Sequence, residues 1–157
     1  MPNQFQGRPN GGQGRYPAPQ QEAPVLPQLP PLLTKEGALN PDLFKEDLLT
    51  SVAKSIQNVS KSQMRRVFDD VKRHKFALES GKKWEEIYPY VLMQKAQISY
   101  LCKRKSEDNR ADQSYYQNLK TLTFKLIDMC NSAKAYIVYT NFLEALYGYY
   151  YEIAKRK

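Results

Sequence analysis

From Lys35 onward the apolar residues recur at spacings of three and four, and the residues that punctuate a chain fall to Gly37, Gly81 and Gly148 and to Pro41 and Pro89. That spacing places the apolar side chains on one face of a 3.6-residue helix. No segment shows the period-two alternation of a half-buried strand. The expectation is an all-α fold, a compact bundle of about five helices, antiparallel where the connections are short. Residues 1–34 differ: they hold eight of the ten prolines and four of the seven glycines, with only Arg8, Arg15 and Glu22 charged. Such a segment has little apolar surface to set against its ordering entropy, so it reads as a disordered Pro/Gly/Gln-rich tail before a helical domain at 35–157. Within it, Pro24 to Leu33 could lie in polyproline II and dock in a neighbour's groove.

Local signals place the helices. Asn40 is a candidate N-cap with Pro41 at the first helical position, opening a helix through Leu43, Phe44, Leu48, Val52 and Ile56. Ser60 and Gln63 have the spacing of a capping box, followed by the stripe Met64, Val67, Phe68, Val71 and Leu78, ended at Ser80-Gly81. A third helix is expected over about Trp84 to Arg104, with Pro89 kinking it or marking a fresh start. Between Ile87 and Cys102 its only formal charge is Lys95, which predicts the buried centre of the bundle. A polar turn at Lys105 to Arg110 precedes a fourth helix carrying Tyr115, Leu119, Leu122, Leu126 and Cys130. Asn131-Ser132 separates it from a fifth, whose face is Tyr136, Tyr139, Leu143, Leu146, Tyr150 and Ile153.

Several function classes are disfavoured. No stretch approaches the ~18 uninterrupted apolar residues of a membrane span, and the N-terminal sequence has no apolar segment of the secretory type, so the expected setting is the cytoplasm. Cys102, Cys130 and His74 total three possible soft ligands, too few for a four-ligand zinc site. His74 lies in the basic run Lys72-Arg73-His74-Lys75 with no nucleophile near it in sequence. The pairs Asp69-Asp70 and Glu85-Glu86 diverge on a helix and cannot share one metal or substrate. No catalytic residue, metal site or cofactor is expected.

The net charge of +8 points instead to a polyanion. Seven of those eight positive charges belong to residues 35–157. Cations gather at Arg65, Arg66, Lys72, Arg73 and Lys75, at Lys82 and Lys83, at Lys103, Arg104 and Lys105, and at the C-terminus. Asp69 and Asp70, four residues from Arg65 and Arg66, can neutralise part of this on one helix face. Six of twelve tyrosines fall between Tyr136 and Tyr151. One helix face cannot hold them all, so some are expected to face outward or into another copy; base stacking on rings beside cations is the competing reading. The residues alone support a non-enzymatic helical module that binds nucleic acid or protein.

Three segments carry a more specific resemblance. Ser62-Gln63-Met64-Arg65 opens a helix, Lys95 to Arg104 (KAQISYLCKR) closes another, and Phe142-Leu143-Glu144-Ala145-Leu146-Tyr147-Gly148-Tyr149 lies near the C-terminus. In order and separation they resemble the small subunit of Csm-type (type III-A) CRISPR effector complexes. That family has Ser-x-(Leu/Ile)-Arg, then a Lys-rich stretch ending Tyr-x-x-Gly-Arg, then an aromatic-rich Glu-Ala motif. The likeness covers about residues 58–154. Lys103 stands where the family usually has Gly, which bears on the loop expected after the third helix.

The resemblance implies a non-catalytic subunit of an antiviral ribonucleoprotein, several copies of which stack along the guide RNA and its paired target RNA. The implied partners are guide and target RNA, copies of itself and the other Csm-type subunits, with no membrane. Carried over by motif, Arg65, Lys95 and Arg104 become candidate RNA contacts. Arg66, Lys72, Arg73 and Lys103 join them as neighbouring cations. The alternative is a helical protein-protein adaptor whose proline-rich tail is the docking element.

Overall fold

Side-chain caps fix where two of the five α-helices of this computed structural model begin; the structure describes residues 22–154. Ser60 Oγ accepts from the Gln63 backbone N–H (3.4 Å) and opens α2 (Lys61–Glu79). The reciprocal half of the expected capping box is filled differently. The Ser60 N–H donates to the Tyr116 hydroxyl (3.2 Å), so a distant helix satisfies the donor that Gln63 was expected to take. Gly81, at φ +104°, closes α2: the Gly81 N–H donates to Leu78 O (3.2 Å) and the Lys82 N–H to Ala77 O (3.0 Å), the paired bonds of a Schellman motif. Ser132 Oγ accepts from the Ala135 N–H (3.1 Å) and caps α5 (Ala133–Ile153).

Two expected boundaries differ. Asn40 does cap a turn that begins at Pro41, its Oδ1 accepting from the Asp42 N–H (3.1 Å), but that turn is a short 3-10 segment, Pro41–Phe44. Extended backbone at Lys45 then separates it from α1 (Glu46–Ser55). On one straight helix Leu43 and Leu49 would point about 120° apart. The break lets both enter the core, at 0% and 2% exposure. The third helix, α3 (Trp84–Asp108), runs through Pro89 without a fresh start and continues a turn past Arg104. With Lys103 where a glycine would favour a left-handed stop, the helix continues; no non-glycine residue among those described has positive φ. A second 3-10 turn (Arg110–Asp112) leads into α4 (Gln113–Asp128).

The bundle is all-α, as expected, with no strand among the described residues beyond an isolated bridge between Leu33 and Leu39. Its centre is α5, not α3. α1 and α2 both pack on α5, which buries Tyr136, Tyr139, Phe142, Leu146 and Tyr150 completely. α3 packs chiefly on α4 and buries the single stripe Ile87, Val91, Gln94, Ile98 and Cys102. Trp84 and Leu101 pack partly against the core, while other apolar side chains, among them Tyr90, Leu92 and Met93, face outward. The low formal charge between Ile87 and Cys102 reflects an uncharged outer face as well as a buried one.

Two of the buried tyrosines of α5, Tyr136 and Tyr150, are tied down by their hydroxyls, whereas the Tyr139 hydroxyl is buried without a hydrogen-bond partner among the described residues. Tyr136 donates to Val71 O (2.9 Å) while accepting from Gln94 Nε2 (3.0 Å), linking α2, α5 and α3. Tyr150 donates to Val59 O. Such bonds let a tyrosine replace an aliphatic residue in a core without stranding its polar tip.

The packed body begins earlier than Lys35. Residues 22–33 run across it as a strap: the Ala23 N–H donates to Ser114 Oγ (2.8 Å), and Asn118 Nδ2 donates to Pro24 O (3.0 Å) and Ser55 O (2.9 Å). Asn40 Nδ2 holds Pro31 O (2.8 Å). Leu32 is buried, and Leu26, Leu29 and Leu33 pack against the core. Two physical reasons correct the expected boundary at Thr34. Four leucines supply apolar area, and prolines narrow the conformational freedom that ordering removes. The rest of the expected disordered tail, residues 1–21, lies outside the described residues, as do the C-terminal cations of 155–157.

Candidate nucleic-acid interface

α2 and α3 are joined by a short connection and diverge to leave a groove of about 740 Å³ between them. Its position follows from the α2 sequence. Met64, Val67 and Val71 form the core stripe, so the positions beside them, occupied by Arg65, Arg66 and Arg73, fall on the rim. From α3, Gln97, Tyr100 and Arg104 succeed one another at spacings of three and four and form one exposed row along the facing wall. Val67, Val71 and Ile98 belong to the core beneath. The Gln94-Tyr136-Val71 hydrogen bonds hold the two walls to α5.

The groove is electropositive. Five cations line it (Arg65, Arg66, Arg73, Arg104 and Lys105) against two carboxylates, Asp69 and Asp70. Asp70 pairs with Arg73 (3.2 Å). The neutralisation expected at Arg65 and Arg66 through Asp69 and Asp70 does not form: neither arginine, nor Arg104, makes an ion pair among the described residues. Three exposed guanidiniums therefore present their donors to solvent from two helices. Guanidiniums suit phosphate through bidentate hydrogen bonds. His74 adds no charge here at neutral pH. Burial, with Arg73 second, holds its pKa below the ordinary imidazole value.

Four of the seven candidate cations thus meet in one groove: Arg65, Arg66, Arg73 and Arg104. The other three do not join them. Lys95 turns to α4, where it pairs with Asp128 and lies over the Phe124 ring (5.2 Å). Lys103 points to the other side of α3 and pairs with Glu107 (3.5 Å) beside a separate depression. Lys72 sits over Phe68 (5.2 Å), whose ring stacks on Tyr147 (5.3 Å) toward α5. Lys105 and Tyr100 also line the groove and were not among the candidates. The signal was present in the sequence, because Gln97, Tyr100 and Arg104 share one face.

The cysteines and the tyrosine cluster have other roles. Cys102 and Cys130 are both buried and free, and burial raises their pKa values to about 11 and about 12. Protonated thiols are poor nucleophiles. Of the six tyrosines on α5, Tyr136, Tyr139 and Tyr150 are core residues, Tyr147 and Tyr149 are half-buried and Tyr151 is exposed. Tyr151 supplies the exposed aromatic surface expected on α5, and α3 adds Tyr88, Tyr90 and Tyr100.

No helix among the described residues is long and apolar enough to cross a membrane. Comparison with curated proteins and with solved structures gave no match. The model of one family, Csm2 Type III-A, matches residues 46–155. That span includes all five helices and both walls of the groove. With a fold, a basic groove and three motif segments all lying within the matched region, the chain belongs to the Csm2 type III-A family, the small subunits of type III-A CRISPR complexes.

Proposed function

We propose that this small subunit is a non-catalytic, RNA-contacting component of its cytoplasmic complex. Several copies stack along the guide RNA and its paired target RNA, each gripping phosphates with the groove between α2 and α3. The observation that carries this reading is the set of three unpaired arginines, Arg65, Arg66 and Arg104, facing one groove from two helices. Backbone contact supplies affinity without reading sequence, which suits a subunit in an assembly whose specificity comes from guide-target pairing. Stacking of copies draws support from the outward apolar row on α3, where Tyr90, Leu92 and Met93 are 55%, 43% and 54% exposed. Aromatic residues and methionine are the residue types enriched at protein interfaces.

A non-catalytic role is supported by chemistry that is withheld. Both thiols are buried and protonated, and the single histidine stacks on Tyr90 (5.9 Å). The adaptor reading loses its working part, because the leucines of the proline-rich segment are spent on the chain's own body. The test is the double variant Arg65→Glu with Arg104→Glu. It is expected to keep its helical circular dichroism and thermal transition while losing RNA retention; RNA binding equal to the unmodified protein's would sink the proposal.

A further inference from the structure

We infer that Tyr100 is a stacking platform for one unpaired RNA base, so that the groove engages a single-stranded stretch and not only the outer backbone of a duplex. The inference rests on the groove's role in RNA contact and adds the state of the RNA it takes. Tyr100 is 68% exposed, the most exposed tyrosine among the described residues. Its ring stacks on no other aromatic and carries no cation, and its hydroxyl makes no hydrogen bond among those residues. The other exposed or half-buried rings beside cations are occupied: Tyr151 lies under Lys61, Phe68 under Lys72 and Phe124 under Lys95 and Lys120.

Tyr100 also stands where a base would need it. Arg104 lies one helical turn along the same face and Gln97 one turn before, while Arg65 and Arg66 face it from α2. Phosphates held by these arginines would bring the intervening base over the ring, with the Gln97 amide free to meet its edge. Stacking on aromatic rings flanked by cations is the general mode of sequence-tolerant single-strand binding. The volume of about 740 Å³ falls within the ~300–1,000 Å³ of sites that enclose small molecules, so the groove has room for a nucleotide or two.

The experiment uses the full chain and a short single-stranded RNA carrying 2-aminopurine at one of several positions, with the fully paired duplex of the same sequence as control. The unmodified protein should quench the probe on binding the single strand. Tyr100→Ala should abolish quenching and weaken single-strand binding by about five- to hundredfold, the range for loss of one base-aromatic stack. Tyr100→Phe and Tyr100→Trp should retain both signals. Duplex binding should change less than twofold in all three, and salt dependence should be unaltered because no charge is removed. Single-strand affinity and quenching unchanged in Tyr100→Ala, with binding still lost in Arg65→Glu/Arg104→Glu, would overturn the stacking role and leave the groove reading standing. Binding insensitive to all of these substitutions would overturn both.

Discussion

Lys95 and Arg104 carry the same charge on the same helix, yet their neighbours give them different work. Lys95 is held by Asp128 and by the face of Phe124, so its ammonium ties α3 to α4. Arg104 is exposed on the groove wall without an acidic partner among the described residues. Replacing Lys95 by Met should therefore lower stability by about 0.5–1 kcal/mol, the scale of a partly exposed ion pair with a cation-π contact. RNA affinity should stay within about twofold, whereas Arg104→Ala should reduce it with stability unchanged. Urea denaturation and fluorescence anisotropy separate the two effects, and an RNA defect in Lys95→Met as large as that of Arg104→Ala would reverse the assignment. The sequence displays both cations but not this difference. The partner that occupies Lys95 lies 33 positions away on another helix, beyond any local pattern, while the freedom of Arg65 and Arg66 depends on side-chain geometry that i,i+4 spacing permits without enforcing.

At the scale of elements, what was legible is what local chemistry decides. Ser60, Ser132, Asn40 and Gly81 mark helix ends because cap bonds join residues only two to five positions apart. The choice of central helix was not legible, since residues 87–102 of α3 and the whole of α5 are both poor in charge and burial depends on which of them the other helices converge upon. Nor was the strap: its proline content argued against order, but it is held by hydrogen bonds joining Ala23 and Pro24 to residues some 90 positions later and by leucines that pack on the core. The two outcomes make a paired prediction. Leu32→Ala, at a site 2% exposed, should destabilise the protein by about 2–4 kcal/mol, as truncation of a core leucine does. Leu92→Ala, on the outer face of α3, should change stability by less than about 0.5 kcal/mol. Both are measured by urea melts of the full chain. A negligible effect at Leu32 would mean that the strap does not belong to the folded body, and a large one at Leu92 that α3 is the buried helix after all.

For the whole molecule, the net charge of +8 sets only the sign of the partner; its arrangement sets how binding responds to salt. The groove gathers five cations against two carboxylates, whereas Lys95 and Lys103 are paired with acids elsewhere. Binding should thus scale with the few free groove arginines and not with the total of basic residues. Each single-strand phosphate neutralised releases condensed counterion and contributes a slope of about −0.7 to log affinity against log salt. With Arg65, Arg66 and Arg104 in contact, and Arg73 as a fourth if it exchanges Asp70 for phosphate, the slope should lie between about −2 and −3. A fourfold rise from 50 to 200 mM salt should then weaken one copy's binding by about 20- to 50-fold. Arg104→Ala should make the slope shallower by about 0.7, and Lys103→Ala should leave it unchanged, because Lys103 faces the far side of α3. Titrations of a short single-stranded RNA at four salt concentrations measure all three slopes. Equal loss of slope in the two variants would mean that the positive charge acts as a diffuse field around the bundle, and the groove would lose its claim to be where the RNA is held.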